Sequence, residues 1–151
     1  MTSGLDETEV LSLKKDEFLF LAGDIENDLY IVKRGQVMVF VQNASQITPI
    51  AFLGEGEYIG ELSFFERKNR SASIICIENS EFIKIRVEVL NKHIPPWLRT
   101  LGEQLARKVR AADEIIRSRG IRKKNVESVK PLSISEQTRI HKLIENRPSK
   151  K

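Results

Sequence analysis

Between Glu17 and Arg86 the chain is a series of short apolar runs, each cut off by a turn signal. Phe18-Leu19-Phe20-Leu21 runs into Ala22-Gly23-Asp24, Leu29-Tyr30-Ile31-Val32 into Lys33-Arg34-Gly35, and Val37-Met38-Val39-Phe40-Val41 into Gln42-Asn43-Ala44-Ser45. Ile50-Ala51-Phe52-Leu53, Ser73-Ile74-Ile75-Cys76-Ile77 and Phe82-Ile83-Lys84-Ile85 follow. Strands this short, with turns at intervals of roughly eight to twelve residues, predict an antiparallel sandwich or barrel. Gly23, Gly35, Gly54, Gly56 and Gly60 stand at the corners, where a positive φ is needed. Strands and helices do not alternate, which argues against a doubly wound sheet.

Past Arg86 the period changes. Val87 to Lys92 has room for one or two helical turns before Ile94-Pro95-Pro96 stops it. From Trp97 to Ser118, Leu98, Leu101, Leu105, Val109, Ala112 and Ile116 recur at three- and four-residue steps, the stripe of one long helix. Gly102 weakens that helix and Gly120 ends it. Residues 119–132 are basic and irregular up to Lys130-Pro131-Leu132. Ser133-Ile134-Ser135-Glu136 has the spacing of a capping box, which predicts a short helix to about Asn146 with a narrow apolar face of Ile140, Leu143 and Ile144. Arg147 to Lys151 reads as a frayed end. The predicted architecture is mainly β with α. An antiparallel β-roll (jelly-roll or cupin-like, a double-stranded β-helix) over about residues 14–86 is followed by helices over 87–118. These make one domain over 1–118, and 119–151 form a basic linker with a short extra helix.

Length and charge refine this picture. At 151 residues the chain suits one compact domain with a sizeable core. Its net charge of +4 conceals an asymmetry. Residues 1–97 carry 10 Lys/Arg against 15 Asp/Glu, net −5, whereas residues 98–151 carry 15 against 6, net +9. A basic tail suits nucleic acid, an anionic lipid surface or an acidic protein, although a solvated helix and tail needs no partner. No apolar run approaches the roughly 20 residues of a membrane span, and MTSGLDETEV is too acidic and polar for a secretory leader. The single cysteine, Cys76, excludes an internal disulfide and suits a reducing compartment, so a cytoplasmic location is expected.

The stretch most informative about chemistry is Gly54-Glu55-Gly56-Glu57-Tyr58-Ile59-Gly60-Glu61-Leu62-Ser63-Phe64-Phe65, followed after Glu66 to Asn69 by Arg70-Ser71-Ala72. Gly60-Glu61-Leu62-Ser63 leaves a strand and enters a short helical turn, whose free N–H groups make an anion site. Arg70 stands nine residues after Glu61, just ahead of the next strand, and can return to the same cavity. There its guanidinium would pair bidentately with a phosphate, with Ser71 adding a hydroxyl donor. A carboxylate beside a phosphate site needs a separate task, and accepting from a sugar hydroxyl is one. By spacing alone, Glu61 and Arg70 are better explained by a cross-loop ion pair of little worth. The glycines and apolar neighbours shift the weight toward a ligand site.

Gly23-Asp24, Leu29-Tyr30-Ile31-Val32, Gly35-x-Val37, Gly56-x-x-x-Gly60-Glu61-Leu62 and Arg70-Ser71-Ala72 together resemble the cyclic-nucleotide-binding family. That family includes the bacterial catabolite activator protein and the regulatory subunits of protein kinase A, and the resemblance runs from about Phe18 to Ser118. It implies a non-catalytic sensor for cAMP or cGMP with no further cofactor. By this resemblance Gly60 and Leu62 lend backbone to the ligand, Glu61 takes the ribose 2′-hydroxyl, and Arg70 neutralises the cyclic phosphate. Ser63, Ser71 and Ala72 complete the cassette. The long helix becomes the family's C-helix, which caps the base, at Lys108 and Ala112 here, and pairs with its twin in a homodimer. Ala112 stands where the activator has a base-contacting threonine, so the choice of base stays open. Residues 121–151 are too few for the activator's helix-turn-helix module, which leaves an unknown effector protein as the downstream partner.

An enzyme on the same roll would be a metal-dependent cupin, which needs two or three histidines converging from strands. The chain has only His93 and His141, both outside the predicted strands, so neither a catalytic residue nor a metal site is expected. Cys76 is read as a small core residue, Trp97 as an anchor of the long helix on the roll, and Tyr58 as a core aromatic first and a ligand contact second. His93 is read as a helix end and His141 as a surface residue. Arg117, Arg119, Arg122, Lys123 and Lys124 would meet phosphates without sequence preference, yet the tail has no aromatic platform for single strands. A solvated or autoregulatory tail ranks first, protein docking second and nucleic acid third. The latter two would make the chain a docking adaptor with a vestigial nucleotide pocket.

Overall fold

A computed structural model of the chain describes residues 8–119 and 130–148, with side chains for all of these except Leu90 and residues 113–119. Among the described residues the roll consists of β1 (Thr8–Leu13), β2 (Phe18–Phe20), β3 (Leu29–Arg34), β4 (Gln36–Asn43), β5 (Gln46–Gly54), β6 (Tyr58–Ile59), β7 (Ser73–Cys76) and β8 (Ser80–Ile85). Helix α1 (Glu61–Glu66) interrupts the roll between β6 and β7, and α2 (Val87–His93), α3 (Pro96–Arg119) and α4 (Ile134–Glu145) follow it. One sheet is ordered β1-β8-β3-β6 and the other β2-β7-β4-β5. All the pairings are antiparallel. Successive strands mostly fall in opposite sheets, which is the roll the short-strand pattern predicts.

The roll begins earlier than residue 14. Thr8–Leu13 pairs along its length with β8, but only Leu11 and Leu13 pack against the core, while Val10 stays exposed. Two apolar side chains are too weak a pattern to announce a strand. Of the five corner glycines, Gly54 alone lacks a positive φ; it continues β5 opposite Gln36.

Between the sheets lie Leu19, Phe20, Tyr30, Val32, Val37, Ile59, Ile74, Cys76 and Phe82. Strands β4 and β7 are apolar on their other face as well. Met38, Phe40 and Ile75 point away from that core into a second one, with Ile47 and Ile140. A strand buried on both faces needs cover on both, and α4 supplies the second layer through Ile140, with Leu143 and Ile144 packed beside it. Full burial of one such isoleucine contributes about 1.5–3 kcal/mol. The predicted capping box is formed: Glu136 N–H donates to Ser133 Oγ at 3.2 Å, and Ser133 N–H donates to Glu136 Oε1 at 3.2 Å. Ile47 N–H on the edge strand β5 donates to Gln137 Oε1 at 2.8 Å, and Arg139 Nη1 donates to Asp16 Oδ1 at 2.6 Å. Within the basic stretch 119–151, then, α4 is seated on the roll. Residues 120–129 of the predicted linker, with the stop at Gly120, lie outside the described residues.

Helix α3 packs against α1 through its small residues. Gly102 and Ala106 are buried, and a Cβ on Gly102 would run into the Phe65 ring. Arg110 Nε donates to Glu66 Oε1 alongside. This seat leaves Leu98, Leu101, Leu105 and Val109 exposed. Trp97, expected to anchor the helix, is 67% exposed instead, because it shares the exposed line of Leu101 and Leu105 at four-residue steps. No described helix is long and apolar enough to cross a membrane.

Candidate functional site

The site is built where β6 turns into α1. Gly60 takes φ 90° and ψ 15°, a left-handed conformation that costs an L side chain. A Cβ there would also collide with Arg70 Nη1 and stand 3.1 Å from the Asp28 carbonyl oxygen. Glycine is therefore required twice, and its absence of a side chain lets the turn close directly over the guanidinium. The Gly60 carbonyl accepts the first helical bond of α1, from Phe64 N–H at 3.1 Å. The amides of Glu61, Leu62 and Ser63 precede that bond and have no intrahelical acceptor.

Arg70 is fixed at both backbone and side chain. Its N–H donates to the Asp24 carbonyl and its own carbonyl accepts from Gly23 N–H, both at 2.8 Å. Its side chain is 1% exposed. Nη2 donates to the Asp28 carbonyl at 2.6 Å and to Glu26 Oε1 at 3.3 Å, while Nη1 donates to the Gly60 carbonyl at 3.3 Å. The guanidinium lies over the Phe20 ring, 4.1 Å from its centroid. A buried cation needs such compensation. Glu26 also accepts from the Tyr30 hydroxyl; burial first, and then this bond, push the Tyr30 phenol up, so it stays protonated and donating. One group is left over. Arg70 Nε is buried and has no hydrogen-bond partner among the described residues.

A cavity of about 180 Å³ opens beside these groups. Gly60, Glu61, Leu62, Ser63, Arg70, Ser71 and Ala72 line one wall, and Phe20, Val39, Leu53, Ile59 and Ile74 give it an apolar floor. All seven residues singled out from the sequence are thus brought to one cavity. Glu61 and Ser71 are exposed, and the carboxylate that pairs with Arg70 is Glu26 rather than Glu61. The cross-loop pair weighed from the sequence therefore exists with a different acid. Lys108 and Ala112 are exposed on α3 and are not among the residues lining the cavity. Tyr58 is not a core aromatic: it is 53% exposed and lines the cavity, because its neighbour Ile59 is the residue of β6 that faces inward. Cys76 is buried as expected, and burial pushes its thiol up to about 11. His93 ends α2, and half-buried His141 holds the Ser45 carbonyl through Nε2 at 2.5 Å.

Phe20, Glu26, Asp28 and Tyr30 were not foreseen as site residues. The available signal was the acid-rich turn Asp24-Ile25-Glu26-Asn27-Asp28 before β3, an unusual place for three carboxylates unless a cation returns to it.

The sequence matches the model of the family described as cyclic nucleotide-binding domain over residues 10–94, more than half of the chain, and the whole cavity wall falls inside that match. The chain belongs to this family. As a cyclic nucleotide-binding domain it is similar to the cyclic AMP receptor protein of Thermus thermophilus, with 34% identity over 99 residues, 63% of this chain and 46% of that protein. The crystal structure of the Thermus thermophilus catabolite activator protein aligns with a TM-score of 0.62 at 28% identity, covering 78% of this chain and 57% of that one. The cAMP-bound form of the EAL enzyme Bd1971 aligns with a TM-score of 0.62 at 26% identity, over 70% of this chain and 29% of that one. The chain thus spans about half the length of the curated relative it matches.

Proposed function

We propose that the cavity beside Gly60 binds a cyclic mononucleotide, cAMP or cGMP, and that the chain is a non-catalytic cytoplasmic sensor. The observation that carries this reading is the orphaned Nε of Arg70, a residue that lines a cavity together with Glu61, Leu62 and Ser63 of the first turn of α1. A buried unsatisfied donor costs about 1–3 kcal/mol, more when charged, and a phosphate oxygen would satisfy it. Arg70 and the Gly60–Leu62 backbone hold the cyclic phosphate, Ser63, Ser71 and Ala72 complete that wall, and exposed Glu61 is placed to accept the ribose 2′-hydroxyl. The apolar floor suits the sugar and base.

Base capping by Lys108 or Ala112 requires α3 to leave its seat on α1, and that shift is how binding would be read. It follows ligand only if the shifted state binds better than the resting one. The exposed stripe Leu98, Leu101, Leu105 and Val109 supports pairing with a second copy, so that the shift is passed to a twin helix and then to an effector protein.

Calorimetric titration of the full chain with cAMP and with cGMP tests the reading, with 5′-AMP as control. Arg70→Ala is expected to weaken binding by about 2–5 kcal/mol, as for one partner of a buried charge pair, with the roll still folded. Wild-type affinity in the variant, or no binding of either nucleotide, would refute it.

A further inference from the structure

We infer that Arg147, just past the end of α4, is a positioning residue of the ligand site, holding the Gly23–Asp24 turn against the backbone of Arg70. Arg147 Nη2 donates to Asp24 Oδ2 at 2.9 Å and Nη1 to Asp24 Oδ1 at 3.5 Å, in a pair whose side chains are 18% and 21% exposed. The fork matches both carboxylate oxygens, a geometry that fixes orientation as well as charge. Asp24 is also the residue that locks the turn. Its Oδ2 accepts from Leu21 N–H at 3.0 Å and its carbonyl accepts from Arg70 N–H at 2.8 Å, while Gly23 N–H donates back to the Arg70 carbonyl at 2.8 Å.

Neither partner segment is braced by regular structure. Residues 21–28 connect β2 to β3 and residues 67–72 connect α1 to β7, both without helix or strand. The two backbone bonds between them therefore set where Arg70 enters the cavity wall, and Arg147 grips one end of that arrangement from an element 77 positions away in sequence. The rest of α4 is held elsewhere, by Ile140 on the second core and by Arg139 on Asp16. The helix thus delivers Arg147 to the turn as a rigid arm.

Coupling of this kind is reciprocal. A seated α4 favours the cavity wall that binds ligand, and a bound ligand favours a seated α4. Any partner that lifts α4 would lower nucleotide affinity without touching the cavity.

The functional half of this inference rests on the proposed nucleotide site; the structural half does not, and the experiment separates them. Amide hydrogen exchange at Gly23 and Arg70 is measured by NMR on the full chain without nucleotide, for wild type, Arg147→Ala, Arg147→Lys and Arg139→Ala. The same proteins are then titrated with cAMP. Arg147→Ala is expected to speed exchange at both amides and to weaken cAMP by about five- to tenfold, the lower range of measured couplings between sites. Arg147→Lys recovers part of both effects. Arg139→Ala, which removes a different and more exposed pair, leaves both within roughly twofold of wild type. Unchanged exchange in Arg147→Ala, an equal effect of Arg139→Ala, or altered exchange with unaltered affinity would each overturn the assignment. Failure of the wild type to bind any nucleotide would sink the proposed function instead, and the exchange rates would still decide whether Arg147 positions Arg70.

Discussion

Gly60→Ala places a methyl group where Arg70 Nη1 now lies, at a residue whose φ of 90° already disfavours a side chain. Gly56 offers the matched control. Its φ is 85°, but a Cβ there meets nothing within 4 Å. Both substitutions carry the left-handed backbone cost of about 1–2 kcal/mol. Only Gly60→Ala also moves the guanidinium, whose bonds to the Asp28 and Gly60 carbonyls are charge-assisted and worth about 1.5–3 kcal/mol each. Loss of one of them brings the total to roughly 2.5–5 kcal/mol. Urea denaturation of the two variants side by side reads that difference, and titration with cAMP reads its consequence. Gly56→Ala should bind as wild type does, and Gly60→Ala should lose about 2 kcal/mol, or roughly thirtyfold. Equal stability losses, or wild-type affinity in Gly60→Ala, would show that Arg70 slides aside freely and that close approach at Gly60 sets neither fold nor site.

Two further outcomes follow from burial. The Cys76 thiol, pushed by burial from 9.0 to about 11, should resist thiol reagents at pH 8 in the native protein and react at once in denaturant. Because its proton is held more tightly when folded, the thiol's contribution to stability is complete below pH 9 and is lost as pH rises through about 11, a slope that Cys76→Ser should remove. On α3, Val109→Glu should convert a homodimer to a monomer of 17.3 kDa by light scattering with the roll intact, since a buried charge in a helix seam costs several kcal/mol; a wild type already at that mass would refute pairing through the stripe.

The roll was legible because its strands are marked locally, by apolar runs that stop at glycine and Asx turns, and α4 because the Ser133–Glu136 box forms within four residues. What such marks cannot carry is the identity of the neighbour. The three- and four-residue recurrence on α3 finds a face and suggests that it is the packed one, yet Gly102 and Ala106 make the contact, since a ring from α1 fits only against small residues. Glu26 was invisible for a related reason. It meets Arg70 across 44 positions of chain, and the acid-rich turn around it hints that some cation returns without saying which one. The unbroken runs Val37–Val41 and Ser73–Ile77 did hold a clue to a second layer, because strict alternation is expected only where one face is wet. That α4 is the layer depends on where the chain leads after α3, which no period encodes.

The charge asymmetry, which the sequence shows as an acidic segment followed by a basic one, is in part an internal match. Arg110 pairs with Glu66, Arg139 with Asp16 and Arg147 with Asp24, so three cations from the basic half sit on acids of the acidic half. This bears on the ligand. The net −5 of residues 1–97 would by itself repel an anionic nucleotide, and a field of that kind acts over the Debye length of about 8 Å at physiological ionic strength. Cations carried onto the roll by α3 and α4 offset that field, and Arg147 does so on the Gly23–Asp24 turn, which is hydrogen-bonded to the backbone of Arg70. Seating of the basic helices and binding of a cyclic phosphate therefore draw on the same electrostatics. A chain cut before α4 would keep every residue of the cavity wall and still present a more repulsive site, with its affinity falling most at low salt, where the roll's own charge is least screened.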